Sequence, residues 1–179
     1  PPSIELSTTA TGTLGRVEVN ITEEGTDPDQ DPITYRYRWA KNGERQGDPQ
    51  VPELTSSFTT KGEVWRVDVY ANDGYQDSLM AASATVTIIN TAPSVALTFT
   101  STSVRSIDPL RVSANVDDPD NDPIDLSFAW TKNSSVAQTS TASLARPGTQ
   151  TASVSAEMLT RGDVWSAQIT VTDGEGSAQ

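Results

Sequence analysis

Short runs of alternating apolar and polar residues extend along the whole chain. Ile33, Tyr35, Tyr37 and Trp39 fall on one face of an extended segment, with Thr34, Arg36 and Arg38 on the other. Ile124, Leu126, Phe128 and Trp130 repeat that arrangement, and so do Trp65, Val67, Val69 and Ala71 and their echo Trp165, Ala167, Ile169 and Val171. A period of two with one apolar face predicts antiparallel strands covered on one side only. Weaker strands are expected at 4–7, 17–21, 84–89, 95–99, 110–116 and 152–156. No segment sustains the i, i+3, i+4 apolar spacing of a helix, so the fold is expected to be all-β. Roughly seven short strands in each half, with turn residues between them, predict Ig-like sandwiches of two antiparallel sheets.

The pattern is duplicated. Asp27-Pro28-Asp29-Gln30-Asp31-Pro32 returns as Asp118-Pro119-Asp120-Asn121-Asp122-Pro123, an offset of 91 that Trp39 and Trp130 share. Lys61-Gly62-Glu63-Val64-Trp65 matches Arg161-Gly162-Asp163-Val164-Trp165, and Asp73-Gly74 matches Asp173-Gly174, both at an offset of 100. Two tandem domains follow, at 1–91 and 92–179, joined by the short proline-containing linker Ile89-Asn90-Thr91-Ala92-Pro93-Ser94. The 9 residues by which the two offsets differ lie between the paired tryptophans of the second copy, and surface loops are their expected place. Gln179 aligns with position 79 of the first copy, so the second repeat is expected to lack its last strand. A sheet edge left open in that way invites aggregation or strand addition.

Composition narrows the chemistry. The net charge is −12 and both halves share it, with 7 basic against 14 acidic residues in 1–91 and 5 against 10 in 92–179. Such a surface repels phosphate backbones, and with no basic stripe nucleic-acid binding is not expected. No apolar stretch of about 18 residues occurs, so direct membrane insertion is not expected either. With no histidine and no cysteine, zinc fingers, thiol nucleophiles and histidine-dependent triads are excluded. The acids cluster on duplicated loops rather than forming one set-apart pair, and no catalysis is expected.

Oxygen ligands remain. Alternate carboxylates on a loop curved by two prolines aim several charges inward, where like charges need a cation. Calcium suits them, because it takes six to eight oxygens in irregular geometry. The expected ligands are Asp27, Asp29 and Asp31 in the first copy and Asp118, Asp120 and Asp122 in the second. Asp73, Asp173, Asn90 and Ser94 are added from the same end of each sandwich. Ordinary turns, which favour Asp, Pro, Asn and Gly for their backbone geometry, are the competing explanation. The loop is not an EF-hand, lacking the glycine at the sixth position and the glutamate at the twelfth.

Together, the Asp-Pro-Asp-x-Asp-Pro-Ile loop, Tyr37-x-Trp39-x-x-Asn42-Gly43, Lys61 to Trp65, Asn72-Asp73-Gly74 and the Asn90-Thr91-Ala92-Pro93 linker carry a resemblance. They resemble the tandem immunoglobulin-like, cadherin-like and PKD-like repeats of large bacterial surface and secreted proteins. The Trp-x-Phe-Gly-Asp-Gly signature of PKD domains is replaced here by Trp39-Ala40-Lys41-Asn42-Gly43. The resemblance implies a non-catalytic adhesion or spacer module in a longer extracellular array at the bacterial cell surface. Its partner would be a cell-surface protein or polysaccharide, with calcium between the linker, the Asp loop and the Asp-Gly turn. The alternative is a carbohydrate-binding accessory module of a secreted polysaccharide-degrading enzyme. For that role Trp39, Trp65, Trp130 and Trp165 are in phase with the core, which leaves Tyr70 and Tyr75 as the candidate exposed aromatics.

Overall fold

The computed structural model describes residues 3–8, 12–47, 50–100 and 103–179. The chain divides into two compact units, Pro1–Asn90 and Thr91–Gln179. Each is an Ig-like sandwich of two antiparallel sheets, and a short proline-containing linker joins them. Among the described residues no helix is long and apolar enough to cross a membrane.

In the first unit one sheet has the order β1-β2-β5, with β1 Ser3–Thr8, β2 Val17–Glu23 and β5 Glu53–Leu54. The facing sheet has the order β4-β3-β6-β7, with β3 Thr34–Lys41, β4 Glu44–Arg45, β6 Val64–Asn72 and β7 Ala82–Thr87. The inward positions of the alternating segments build the core, where Trp39, Leu54, Trp65, Val67 and Val69 are buried with Val17, Val19 and Ile88. Trp39 and Trp65 meet edge to face, their ring centroids 6.3 Å apart. Both indole donors are satisfied, Trp39 Nε1 by the Val51 carbonyl at 3.0 Å and Trp65 Nε1 by Glu63 Oε2 at 2.9 Å.

The second unit repeats the plan. Its sheets run β12-β9-β8 and β11-β10-β13-β14, with β8 Ser94–Phe99, β9 Leu110–Asp117, β10 Ile124–Lys132, β11 Ser135–Leu144, β12 Gly148–Val154, β13 Trp165–Thr172 and β14 Ser177–Ala178. Val112, Ala114, Val116, Ile124, Leu126, Phe128, Trp130 and Val154 fill the space between them.

Two differences from the sequence reading bear on the site. The residues gained by the second copy are not loop: they turn the two-residue β4 into the ten-residue β11, which pairs with β10 along its whole length from Lys132↔Ser135 to Ile124↔Leu144. Its Ser/Thr-rich sequence hid it, because the alternation is carried mainly by small residues, with Ala142 and Leu144 packing on the core. The second difference is at Trp165, which is half-buried, whereas Trp39, Trp65 and Trp130 are buried.

Candidate metal centre

The hexapeptide adopts the same turn in both units. Asp118 Oδ1 accepts hydrogen bonds from the backbone N–H groups of Asp120, at 2.8 Å, and Asp122, at 3.3 Å. Asp27 Oδ1 does the same for Asp29, at 2.8 Å, and Asp31, at 3.2 Å. The first acid of each loop therefore folds the chain around its own carboxylate, a side-chain mimic of a backbone turn. The fourth residue is left-handed in each case, Gln30 at φ 65° and Asn121 at φ 59°. Asparagine tolerates that region better than glutamine does.

Burial separates the two copies. Asp118 is only 5% exposed, and its second oxygen, Oδ2, is buried with no hydrogen-bond partner. One carboxylate oxygen from each of Asp118, Asp120 and Asp122 lies within 4.8 Å of the other two. Among the described residues this is the one acidic group gathered so closely. In the first unit Asp27 is half-buried and Asp29 and Asp31 are exposed. The flanking strands supply a physical reason. Ile124 is 1% exposed, lies within β10 and faces Leu144 of the long β11. In the first unit β3 begins only at Thr34, its partner β4 covers only Ala40 and Lys41, and Ile33 is half-exposed. The segment entering the second unit adds a further tie, because Thr91 N–H donates to Asp120 Oδ2 at 2.7 Å.

The other expected ligands are placed differently. Asp173 stands outside the cluster, its Oδ1 closing its own turn on the N–H groups of Glu175 and Gly176. Asp73 does likewise for Gln76 and Tyr75, and those two hydrogen bonds hold its carboxyl below the usual carboxylate range. Asn90 belongs to the first unit, where its Oδ1 accepts from Lys61 Nζ at 3.0 Å. Ser94 is exposed at the start of β8, opposite Asp117, next in sequence to Asp118. The entering segment, Thr91 included, was expected to offer oxygens to the site; the contact seen is instead the Thr91 backbone N–H, a donor that leaves no mark in residue type.

A buried carboxylate oxygen without a donor is costly, and two more carboxylates beside it add repulsion. A divalent cation would relieve both, and an all-oxygen donor set suits calcium. As for the candidate sugar platforms, Tyr75 is exposed, but Arg38 lies over the Tyr70 ring at 4.2 Å from its centroid.

No family model matches the chain, and no curated protein is similar to it in sequence. Among solved structures, the chicken interferon gamma receptor alpha chain is similar over 100% of this chain and 94% of that one, at 10% identity and a TM-score of 0.54. A segment of two fibronectin type-III domains from chicken tenascin aligns over 99% and 94% of the two chains, at 9% identity and a TM-score of 0.47. At such identity the receptor likeness establishes a fold and nothing finer: this chain is a tandem pair of Ig-like β-sandwiches.

Proposed function

We propose that the chain is a non-catalytic extracellular adhesion or spacer module of a bacterial surface or secreted repeat protein, and that the loop of its second repeat binds calcium. The observation that carries the calcium reading is the buried, partnerless Oδ2 of Asp118 with the Asp120 and Asp122 carboxylates gathered beside it. Asp118, Asp120 and Asp122 would hold the ion, and the Asp120 bond to Thr91 N–H would tie it to the linker. Calcium supplies positive charge at a fixed point, so the module stiffens where the chain enters the second sandwich. The role is mechanical. The module's partner would be a protein or polysaccharide of a cell surface. The adhesive and extracellular parts of the proposal rest on the resemblance of the loop, linker and Asp-Gly turn to bacterial surface repeats. Calorimetric titration of the whole chain with calcium tests the site. One binding event, lost in Asp118→Asn, is the expected result; no heat and no shift in melting on addition of chelator would sink it.

A further inference from the structure

The outward faces of the two units differ more than their cores do. In the first unit the pairs Arg36↔Tyr70, Arg38↔Asp68 and Ala40↔Arg66 share the face of β3 and β6 that points away from the core, and Arg45 of β4 lies opposite Ala40 on the other side. The same register in the second unit holds Ser127↔Thr170, Ala129↔Gln168 and Thr131↔Ser166, with Val136 opposite Thr131. All four arginines are thus replaced by neutral residues on one plan, and the sandwich itself does not require them. Protection of a sheet edge does not explain them either, since β3 and β6 are the inner strands of their sheet. Four of the seven basic residues of 1–91 stand on one face of an acidic chain. They come from three strands, so no basic run marks them in sequence.

Two carboxylates hold three of the guanidinium groups in place. Asp77 pairs with Arg38 at 2.7 Å and Arg36 at 3.4 Å, and Asp68 pairs with Arg66 at 2.8 Å. The Tyr70 ring braces Arg38 from a further side. Even so, the Arg36 and Arg66 side chains are 60% and 57% exposed. Arg45 is exposed, and its side chain has no ion pair or hydrogen bond among the described residues. Because Ala40 is small, the ground between Arg45 and Arg66 is hollow: a cleft of about 500 Å³ is lined there by Arg38, Arg45, Arg66 and Tyr70. A second cleft of about 390 Å³ brings in Arg36, Gln46 and Gln50, and Arg38 and Arg45 line both.

We propose that this face of the first unit binds an acidic polysaccharide whose sugar residues carry carboxylates, with its chain lying along both clefts. Guanidinium forks meet planar carboxylates two bonds at a time, which explains arginine rather than lysine at all four positions. Two clefts with a shared wall suit consecutive residues of a polymer better than one small ion. The Gln46 and Gln50 amide nitrogens are engaged by the Glu44 and Gly47 carbonyls, which leaves their oxygens to accept from hydroxyls. A folded protein fits less well, because the centre of a protein interface is apolar and poor in charge. Here the centre is guanidinium, amide and Ala40. The proposal rests on the adhesive reading above for its polysaccharide and is independent of calcium.

The test is calorimetric titration of the full chain with galacturonate oligosaccharides, in chelator and at low salt. Saturable binding is expected, weakening as salt rises and falling at least tenfold in Arg45→Gln, whose side chain braces nothing in the fold. Methyl-esterified oligosaccharides, with the same sugars and no charge, should not bind. Ala40→Phe fills the larger cleft from an outward position without changing the charge, and should abolish binding while circular dichroism shows the sandwich intact. Asp118→Asn should bind as wild type does. Equal binding of the ester, or binding unchanged in Arg45→Gln and Ala40→Phe, would overturn the proposal. So would single-stranded DNA bound as tightly, or self-association that Arg45→Gln removes, which would assign the face to phosphates or to a second copy. No binding by the wild-type chain would overturn it too, while leaving the calcium titration unaffected.

Discussion

In the proposed site Asp118 would perform two tasks with two oxygens, closing the turn and holding calcium, and one substitution separates them. In Asp118→Asn the amide Oδ1 still accepts from Asp120 and Asp122 N–H, so the turn survives. The other oxygen becomes an NH₂ that can donate to a neighbouring carboxylate, and one of three crowded charges is gone. With chelator present the variant should therefore melt no lower than wild type. With calcium the order should reverse. At millimolar calcium and a dissociation constant of about 10⁻⁴ M, the ion adds about 1.4 kcal/mol to the folded state. Unfolding entropy of about 2.1 cal/mol/K per residue, over a unit of about 90 residues, converts this to a rise of about 7 °C in Tm. Scanning calorimetry with and without chelator on both proteins reads the crossing, and Asp27→Asn, whose loop is not gathered, serves as the control. A calcium-dependent rise that persists in Asp118→Asn would refute the assignment of Oδ2 as a ligand.

Other substitutions test the sandwich beneath the site. Phe128→Ala, at a side chain 1% exposed, should cost about 3–5 kcal/mol by chemical denaturation, enough to unfold much of the second unit. Ser134→Gly should raise stability by about 1 kcal/mol, because Ser134 sits at φ 70° in a hairpin turn where the first unit has Gly43 at φ 86°. Glu63 is raised by burial but lowered further by hydrogen bonds from Trp65, Thr60 and Lys41, and its net pKa lies below the ordinary value. Its contribution is thus present above the unfolded pKa of about 4.5 and lost as pH falls through the folded one. Acid melts of Glu63→Gln should show a shallower loss of first-unit stability below that pH than wild type. Glu63→Ala at neutral pH strips the Trp65 indole of its acceptor and should cost about 1–3 kcal/mol in the same unit.

The longer β13, β10, β6 and β3 were legible because their inward residues are large and alternate without interruption, a pattern that only a half-covered strand satisfies. β4, β5 and β11 were not. Two-residue strands have no period, and β11 spends its alternation on Ser, Thr and Ala, whose burial depends on the strand alongside rather than on their own hydrophobicity. The candidate site divides in the same way. Both Asp loops were visible as repeats, and their shared turn follows from local bonds between an aspartate and the backbone two and four residues on. One trace of their inequality was present in the chain, in the exchange of Gln30 for Asn121 at a left-handed position.

Residue pattern alone determined the all-β class, the duplication, the core places of Trp39, Trp65 and Trp130 and the absence of histidine and cysteine chemistry, since all of these follow from local periodicity and side-chain type. Which acids gather and which carboxylate oxygen is stranded away from water were decided only by tertiary structure. Burial and pairing depend on what arrives from elsewhere in the chain: Leu144 opposite Ile124, and Thr91 against Asp120.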